Sequence, residues 1–239
     1  CLVGSEMCIR DSVEGVFTAD PRIINSAKLI DEITYDEMLE MSSSGAGVLM
    51  ARSVEFGRRY NVPIIVKSTF TNNKGTVVKE KTMEEAIVSG VTHNDKEVKF
   101  TLFGVPDQPG IAGTVFGSLS EIGTNVDMIV QNVSKESITD ISFTAPSEQQ
   151  KDVEDTLKNI SKQLDAKGYD VDENIARISI IGAGMKSESG VASKMFKTLG
   201  DNKINISMIS TSPIRVSCVI SSNDIEKALN VLHEEFITN

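Results

Sequence analysis

Cysteine and histidine are scarce in this chain. The 239 residues hold three cysteines, Cys1, Cys8 and Cys218, and two histidines, His93 and His233. No metal-ligand spacing joins the cysteines, and the histidines share no motif, so a structural zinc site and a disulfide framework are excluded. That usage fits a reducing compartment, and the expected location is the cytoplasm. Positive charge is also in deficit: 24 Lys and Arg stand against 34 Asp and Glu, a net charge of −10. Such a balance argues against nucleic acid or an anionic membrane surface as partner. No apolar run approaches membrane-spanning length, and nothing reads as a secretory signal. With 40% hydrophobic and 24% charged residues, the composition is that of a globular protein with room for one or two cored domains.

What the chain does have is an internal copy. Gly110-Ile111-Ala112-Gly113-Thr114-Val115-Phe116 leads to Asn125-Val126-Asp127-Met128-Ile129. Gly190-Val191-Ala192-Ser193-Lys194-Met195-Phe196 leads to Asn205-Ile206-Ser207-Met208-Ile209 at a constant, gapless offset of 80 residues. A repeat of that length is one compact module used twice.

The first twelve residues match nothing downstream and are set aside as an adapter-like scar, so the chain is read as a stretch without its native start. Cys218, in an apolar run, is expected to be a core thiol. In the block 13–82 a helix is expected over 29–43, where Thr34 and Glu37 can form a capping box. A second helix is expected over 48–60, a buried strand over 63–67, a turn at 72–75 and a strand at 76–78. That alternation is the tail of an α/β domain.

In the first copy the pattern predicts a strand at 98–103, a helix after Pro109-Gly110, strands at 125–133 and 138–145, a helix over 148–167 and a strand at 169–171. That order, βαββαβ, is a ferredoxin-like unit. The second copy supplies a strand at 176–181, a helix reaching residue 199, strands at 205–210 and 214–220 and a helix over 223–236, but no sixth element. The spare strand at 85–91 is expected to complete the second sheet, which would make the first module an insertion in the second. The expected division is 1–12 scar, 13–82 α/β tail, 83–92 completing strand, 93–174 first module and 175–239 second module.

The turn at 107–112 is the first candidate ligand cradle. Gly110 allows close backbone approach, the amides of Ile111 and Ala112 open a helix and can accept a carboxylate, and Asp107 can hold an ammonium group. Asn125, Gln131 and Asn132 can satisfy a ligand's charged ends without adding net charge. Gly182-Ala183-Gly184 lacks both the GxGxxG continuation and the Lys-Ser/Thr of a phosphate loop and is not read as one.

Several of these motifs carry a resemblance. Asp107-Gln108-Pro109-Gly110-Ile111-Ala112, Asn125 to Ser134 and Thr139-Asp140-Ile141-Ser142-Phe143-Thr144 resemble the first ACT domain of the aspartate kinases. Gly182-Ala183-Gly184-Met185-Lys186-Ser187 and Asn205 to Ser212 resemble the second. Gly15-Val16-Phe17-Thr18-Ala19-Asp20-Pro21-Arg22 and Arg52-Ser53-Val54-Glu55 resemble the end of that family's kinase domain. The resemblance covers 13–236. It implies an α/β (α+β) fold: the tail of an amino-acid-kinase domain followed by two ACT domains.

The implied activity, for the full-length parent, is phosphoryl transfer from ATP, with magnesium, to the side-chain carboxylate of aspartate. This stretch is expected to be inactive alone, with no catalytic residue, bound cofactor or metal ligand of its own. The implied role is feedback sensing of lysine, threonine or both, in the pathways to lysine, threonine, methionine and diaminopimelate. The implied partners are a second ACT-bearing chain in a homodimer, or full-length catalytic chains in a hetero-oligomer. Effector contacts carried over are Gln131, Ser134, Thr139 and Ser142 in the first module and Val191, Asn205, Ile206 and Ser212 in the second. Phe17 and Arg22 are carried over as nucleotide contacts.

Three positions depart from the family: Glu188-Ser189-Gly190 where His-Pro-Gly is common, Phe17 where many relatives have Tyr, and Gly47 where Lys is usual. The alternative reading is a separate amino-acid-binding subunit started internally at Met83.

Overall fold

A computed structural model describes residues 7–82, 86–133 and 138–238. It divides into two compact units, one formed by residues 1–94 with 177–239, the other by 95–176.

The first block of the chain makes a four-stranded sheet ordered β1-β3-β4-β2, from β1 (Met7–Asp11), β2 (Glu32–Thr34), β3 (Ile64–Ser68) and β4 (Thr76–Lys79). Two helices accompany it, α1 (Tyr35–Ser43) and α2 (Ala51–Tyr60). β1 pairs in parallel with β3 from Met7↔Ile64 to Asp11↔Ser68. This corrects the exclusion of residues 7–11: backbone pairing, which side-chain pattern does not report, builds them into the sheet. The first helix is shorter than the span 29–43 because β2 precedes it and Thr34 caps it. Its hydroxyl accepts from Glu37 N at 3.2 Å while Glu37 Oε2 accepts from Thr34 N at 3.1 Å, the reciprocal capping box. The core beneath the sheet gathers Val16, Ile33, Met38, Met41, Val54, Ile64, Val66 and Val78.

Residues 95–176 build the first repeat around a sheet ordered β7-β8-β6-β9. Its strands are β6 (Glu97–Pro106), β7 (Ile129–Val133), β8 (Ile138–Pro146) and β9 (Gly168–Asp172), with α3 (Ile111–Glu121) and α4 (Gln150–Gln163). β7 begins four residues later than expected because Asp127 and Met128 bond Thr144 outside the strand ladder. The second helix opens as a 3₁₀ turn at Ser147–Gln149. Phe143, fully buried, stacks on Phe100 at 5.3 Å between centroids and meets Phe116 edge-on at 5.7 Å. Phe143→Leu keeps most of the volume but loses both ring contacts, and is expected to cost about 1–1.5 kcal/mol in urea unfolding.

The second repeat forms a sheet ordered β11-β12-β10-β5. It comprises β5 (Gly90–Asn94), β10 (Ile175–Ile181), β11 (Met208–Ser212) and β12 (Arg215–Ser221), with α5 (Val191–Asp201) and α6 (Ile225–His233). β5 pairs antiparallel to β10, from Gly90↔Ile181 to Asn94↔Arg177. The strand expected over 85–91 therefore lies at 90–94, and of the earlier positions 83–85 fall outside the described residues. Ala86 to Ser89 is irregular because it crosses the turn after β10. A Cβ on Gly182 would sit 2.2 Å from Ile87 O, and one on Gly184 2.8 Å from Ala86 O. Gly182-Ala183-Gly184 is thus a backbone crossing point. Cys218 is fully buried in this core, and burial pushes its thiol up to about 12.

Candidate functional site

Residues 16–30 fold into a loop held by its own backbone: Thr18 N bonds Lys28 O at 2.9 Å and Ile30 N bonds Val16 O at 2.9 Å. At its tip Asp20 accepts from three donors of Arg22: the backbone N at 2.9 Å, Nε at 3.0 and 3.2 Å on its two oxygens, and Nη2 at 2.6 Å. Those bonds to Arg22 hold the Asp20 carboxyl below its usual range against an opposing push from burial. Phe17, half-buried, and Arg22, whose side chain is 87% exposed, both border a cavity of about 460 Å³. Asp11, Ser12, residues 45–48, Thr92 and His93 complete its wall. Asp11 and Ser12 escaped the sequence reading because they lay in the stretch set aside. His93 and Thr92 escaped it because they belong to a strand of another sheet.

The loop is fastened from behind. Thr18 Oγ1 lies 2.9 Å from His233 Nε2, Ser26 Oγ lies 3.4 Å from His233 Nδ1, and Val91 N bonds Thr18 O at 2.8 Å. Burial lowers the His233 pKa below its ordinary value, with the Lys28 charge adding to the effect. A depressed imidazole pKa means the unfolded chain binds the proton first. Stability from this group is therefore complete above about pH 6.5 and is lost as pH falls through the depressed value. His233→Gln is expected to flatten that acid limb in thermal melts between pH 7 and pH 5.

α1 is tied into the second repeat as well. Glu37, 3% exposed, accepts on Oε2 from Thr34 Oγ1 at 2.6 Å and on Oε1 from Ser89 Oγ at 2.5 Å and Ala183 N at 2.9 Å. One turn on, Glu40 pairs with Arg215 at 3.0 Å and accepts from Ser212 Oγ at 3.4 Å. Ser212 is thus engaged with the α/β tail.

In the first repeat, Gly110 adopts φ 96° as the N-cap of α3, and no side chain caps that helix. Gly190 adopts φ 89° at the same place on α5. Only glycine takes this left-handed geometry without strain, and it leaves first-turn amides without a side-chain acceptor. Asp107, Gly110 and Ala112 are exposed and Ile111 is half-buried.

Strand register sorts the remaining candidates. Pro106 pairs with Ile138, and Val133 with Thr139. The 107–110 turn, Asn132 and Thr139 therefore share one end of the sheet. Asn125 precedes β7 at the opposite end, so it is not gathered with Gly110. In the second repeat Gly182 N bonds Ile214 O at 3.0 Å, placing the Ser212 hairpin at the end where β10 leads toward Gly190. Asn205 lies at the far end. Gln131 and Asn132 expose their side chains, while Thr139 is buried and donates to Asn132 O at 2.7 Å. Ser142 shares a 3.0 Å bond with Thr101. Val191 and Ile206 pack into the second-repeat core. Ser134 lies outside the described residues. Among the described residues no group of three or more potential metal-ligating side chains occurs, and no helix is long and apolar enough to cross a membrane.

Comparisons with known proteins follow these divisions. Residues 99–165 and 178–236 each match an ACT domain family, and residues 2–68 match the amino acid kinase family. An aspartate kinase of Pseudomonas fluorescens (strain SBW25) is 44% identical over 238 residues, spanning 98% of this chain and 58% of the relative. The chain thus spans less than two thirds of that relative's length. The regulatory subunit of aspartate kinase from Thermus thermophilus superposes with a TM-score of 0.60 at 35% identity, covering 63% of this chain and 99% of the subunit. E. coli aspartokinase III, solved with aspartate and ADP, gives a TM-score of 0.84 at 26% identity over 98% of this chain and 53% of its own.

Proposed function

The chain belongs to the aspartate kinase family, and we propose that it is the C-terminal regulatory region of an enzyme that phosphorylates the side chain of L-aspartate with ATP. Its two ACT modules sense lysine, threonine or both for feedback control of the amino-acid pathways that start from aspartate, including the route to diaminopimelate. The observation that carries this reading is the repeated device at Gly110 and Gly190: a left-handed glycine opening an uncapped helix in each module. Such a turn offers backbone amides to an α-carboxylate, and Asp107 beside the first offers a counter-charge to an ammonium group.

The two modules are interleaved, the first inserted in the second between residues 94 and 175, and they act in a homodimer or with full-length catalytic chains in the cytoplasm. Asp107, Gly110, Ile111, Ala112, Gln131 and Asn132 make up the principal cradle in this reading. In the second module Val191, Ile206 and Ser212 are the corresponding candidates, and Asn205 stands apart from the Gly190 turn. Thr139 and Ser142 support the cradle rather than line it, Asn125 stands apart from it, and Ser134 is kept as an effector contact on the family resemblance alone.

The loop carrying Phe17 and Arg22 forms part of the nucleotide site. The cavity suits that role through a guanidinium at its rim and a wall of small residues at 45–47. Magnesium arriving with the triphosphate would be held mainly by phosphate and water, which needs few protein ligands.

The Thermus thermophilus regulatory subunit favours a second reading, in which residues from about Met83 onward also serve as a separate regulatory chain. Isothermal titration of the full chain with lysine and with threonine tests the principal proposal. Saturable heat with at least one of them is expected, and no heat with either would refute it.

A further inference from the structure

The cavity beside Phe17 and Arg22 has a wall that comes from the second regulatory sheet. β5 pairs with β10 in that sheet, yet Thr92 and His93 of β5 border the cavity. Their neighbour Val91 bonds the 16–30 loop directly, through Thr18 O at 2.8 Å. Among the described lining residues, Arg22 and His93 are the two basic side chains. Arg22 already spends Nε and Nη2 on Asp20. A polyphosphate entering the cavity therefore finds one guanidinium largely committed, and the imidazole of His93 is the other basic side chain that can meet it.

Two further observations point to a ligand on this wall. Thr92 is 8% exposed and its hydroxyl has no hydrogen-bond partner in the structure. Gly47, across the cavity, has open space where a Cβ would stand, so no side chain from that position competes for the same volume. A buried hydroxyl without a partner carries a desolvation cost that a bound ligand or water would remove. His93 also lies near enough to Asp20 to act on its carboxyl, after the larger effect of Arg22.

We propose that Thr92 and His93 contact the phosphates of a nucleoside polyphosphate bound in this cavity, so that the second regulatory sheet forms one wall of the nucleotide site. This rests on the reading of the cavity as a nucleotide site given above. The consequence is a short connection: a shift of β5 relative to the 16–30 loop changes the phosphate contacts themselves.

The test is titration of the full chain with magnesium-ADP and, separately, with adenosine. His93→Phe is expected to weaken magnesium-ADP binding about tenfold while leaving adenosine unchanged, since a donor to a charged phosphate is lost and the volume is kept. Thr92→Val is expected to weaken it about threefold. His93→Gln, which keeps an N–H donor, is expected to stay within about threefold of the parent. Thermal melts confirm that each variant folds, and Thr92→Val carries the test if His93→Phe does not. Unchanged magnesium-ADP affinity in the folded His93→Phe and Thr92→Val variants would overturn the proposal, as would equal weakening of magnesium-ADP and adenosine. A parent chain that binds neither ligand would instead overturn the nucleotide reading on which the proposal stands and leave this stretch without a nucleotide of its own, as the family resemblance implies.

Discussion

Glu37→Ala is expected to destabilise the chain by about 4 kcal/mol, lowering the melting temperature by roughly 10 °C. The Glu37 carboxylate is 3% exposed and takes four hydrogen bonds: Thr34 N at 3.1 Å, Thr34 Oγ1 at 2.6 Å, Ser89 Oγ at 2.5 Å and Ala183 N at 2.9 Å. Alanine keeps the Thr34 cap but removes the reciprocal half of the capping box, and it leaves the amide of Ala183 and the hydroxyl of Ser89 facing a void too small to solvate them well. Each abandoned donor costs about 1–3 kcal/mol, and the lost half of the capping box adds about 0.5 kcal/mol. Glu37→Gln retains one carbonyl acceptor and should recover about half the loss. Urea titration of the three proteins checks the order; an alanine variant within 1 kcal/mol of the parent would show that these bonds contribute nothing net.

The second large effect is expected at Gly182. Its φ of 177° is open to any residue, so the whole cost of Gly182→Ala is steric. The new methyl would lie 2.2 Å from Ile87 O, 2.7 Å from Val88 Cα and 2.8 Å from Ile87 C, all backbone atoms that cannot rotate away. Relief requires the 86–89 segment to lift from the turn, breaking the 2.7 Å bond from Ser89 N to Ile181 O and disturbing β5 beyond it. A loss of about 3 kcal/mol is expected, together with faster amide exchange at Ser89 and Val91. If exchange at those amides is unchanged, the segment does not rest on the turn.

These two residues also mark where the sequence was readable and where it was not. The capping box of Thr34 and Glu37 is local, three residues apart, and its pattern is visible in the chain. The other partners of Glu37 are 52 and 146 residues away, and nothing in residue type announces such a pairing. Spacing alone rejects Gly182-Ala183-Gly184 as a phosphate loop; the close backbone crossing that explains it appears only when Ala86 to Val88 is laid over it. The repeat was legible for a different reason. Its left-handed glycines and apolar stripes are demands of one fold made twice, so they recur at a fixed offset.

Strand limits were less legible. Apolar residues at Ile87 and Val88 drew the expected strand to 85–91, but pairing with β10 begins only at Gly90, after the chain has cleared the Gly182 turn. β1 was missed altogether, because a short parallel strand is defined by its neighbour and not by its own alternation. With it went Asp11 and Ser12, which border the cavity. Among the ligand candidates, spacing found the Gly110 and Gly190 turns. Asn125, taken from its residue type, and Asn205, carried over from the family resemblance, were grouped with them although strand register puts both residues at the other end of each sheet.

The claim at the centre of this account is that an amino acid is held at the helix-opening turns of the ACT modules. Hydrogen–deuterium exchange of the full chain, with and without saturating lysine or threonine, tests it directly. The account predicts slower exchange at the amides of residues 110–114, and a smaller protection at residues 190–194, with at least one of the two amino acids. Binding accompanied by protection elsewhere and none at either turn would contradict it.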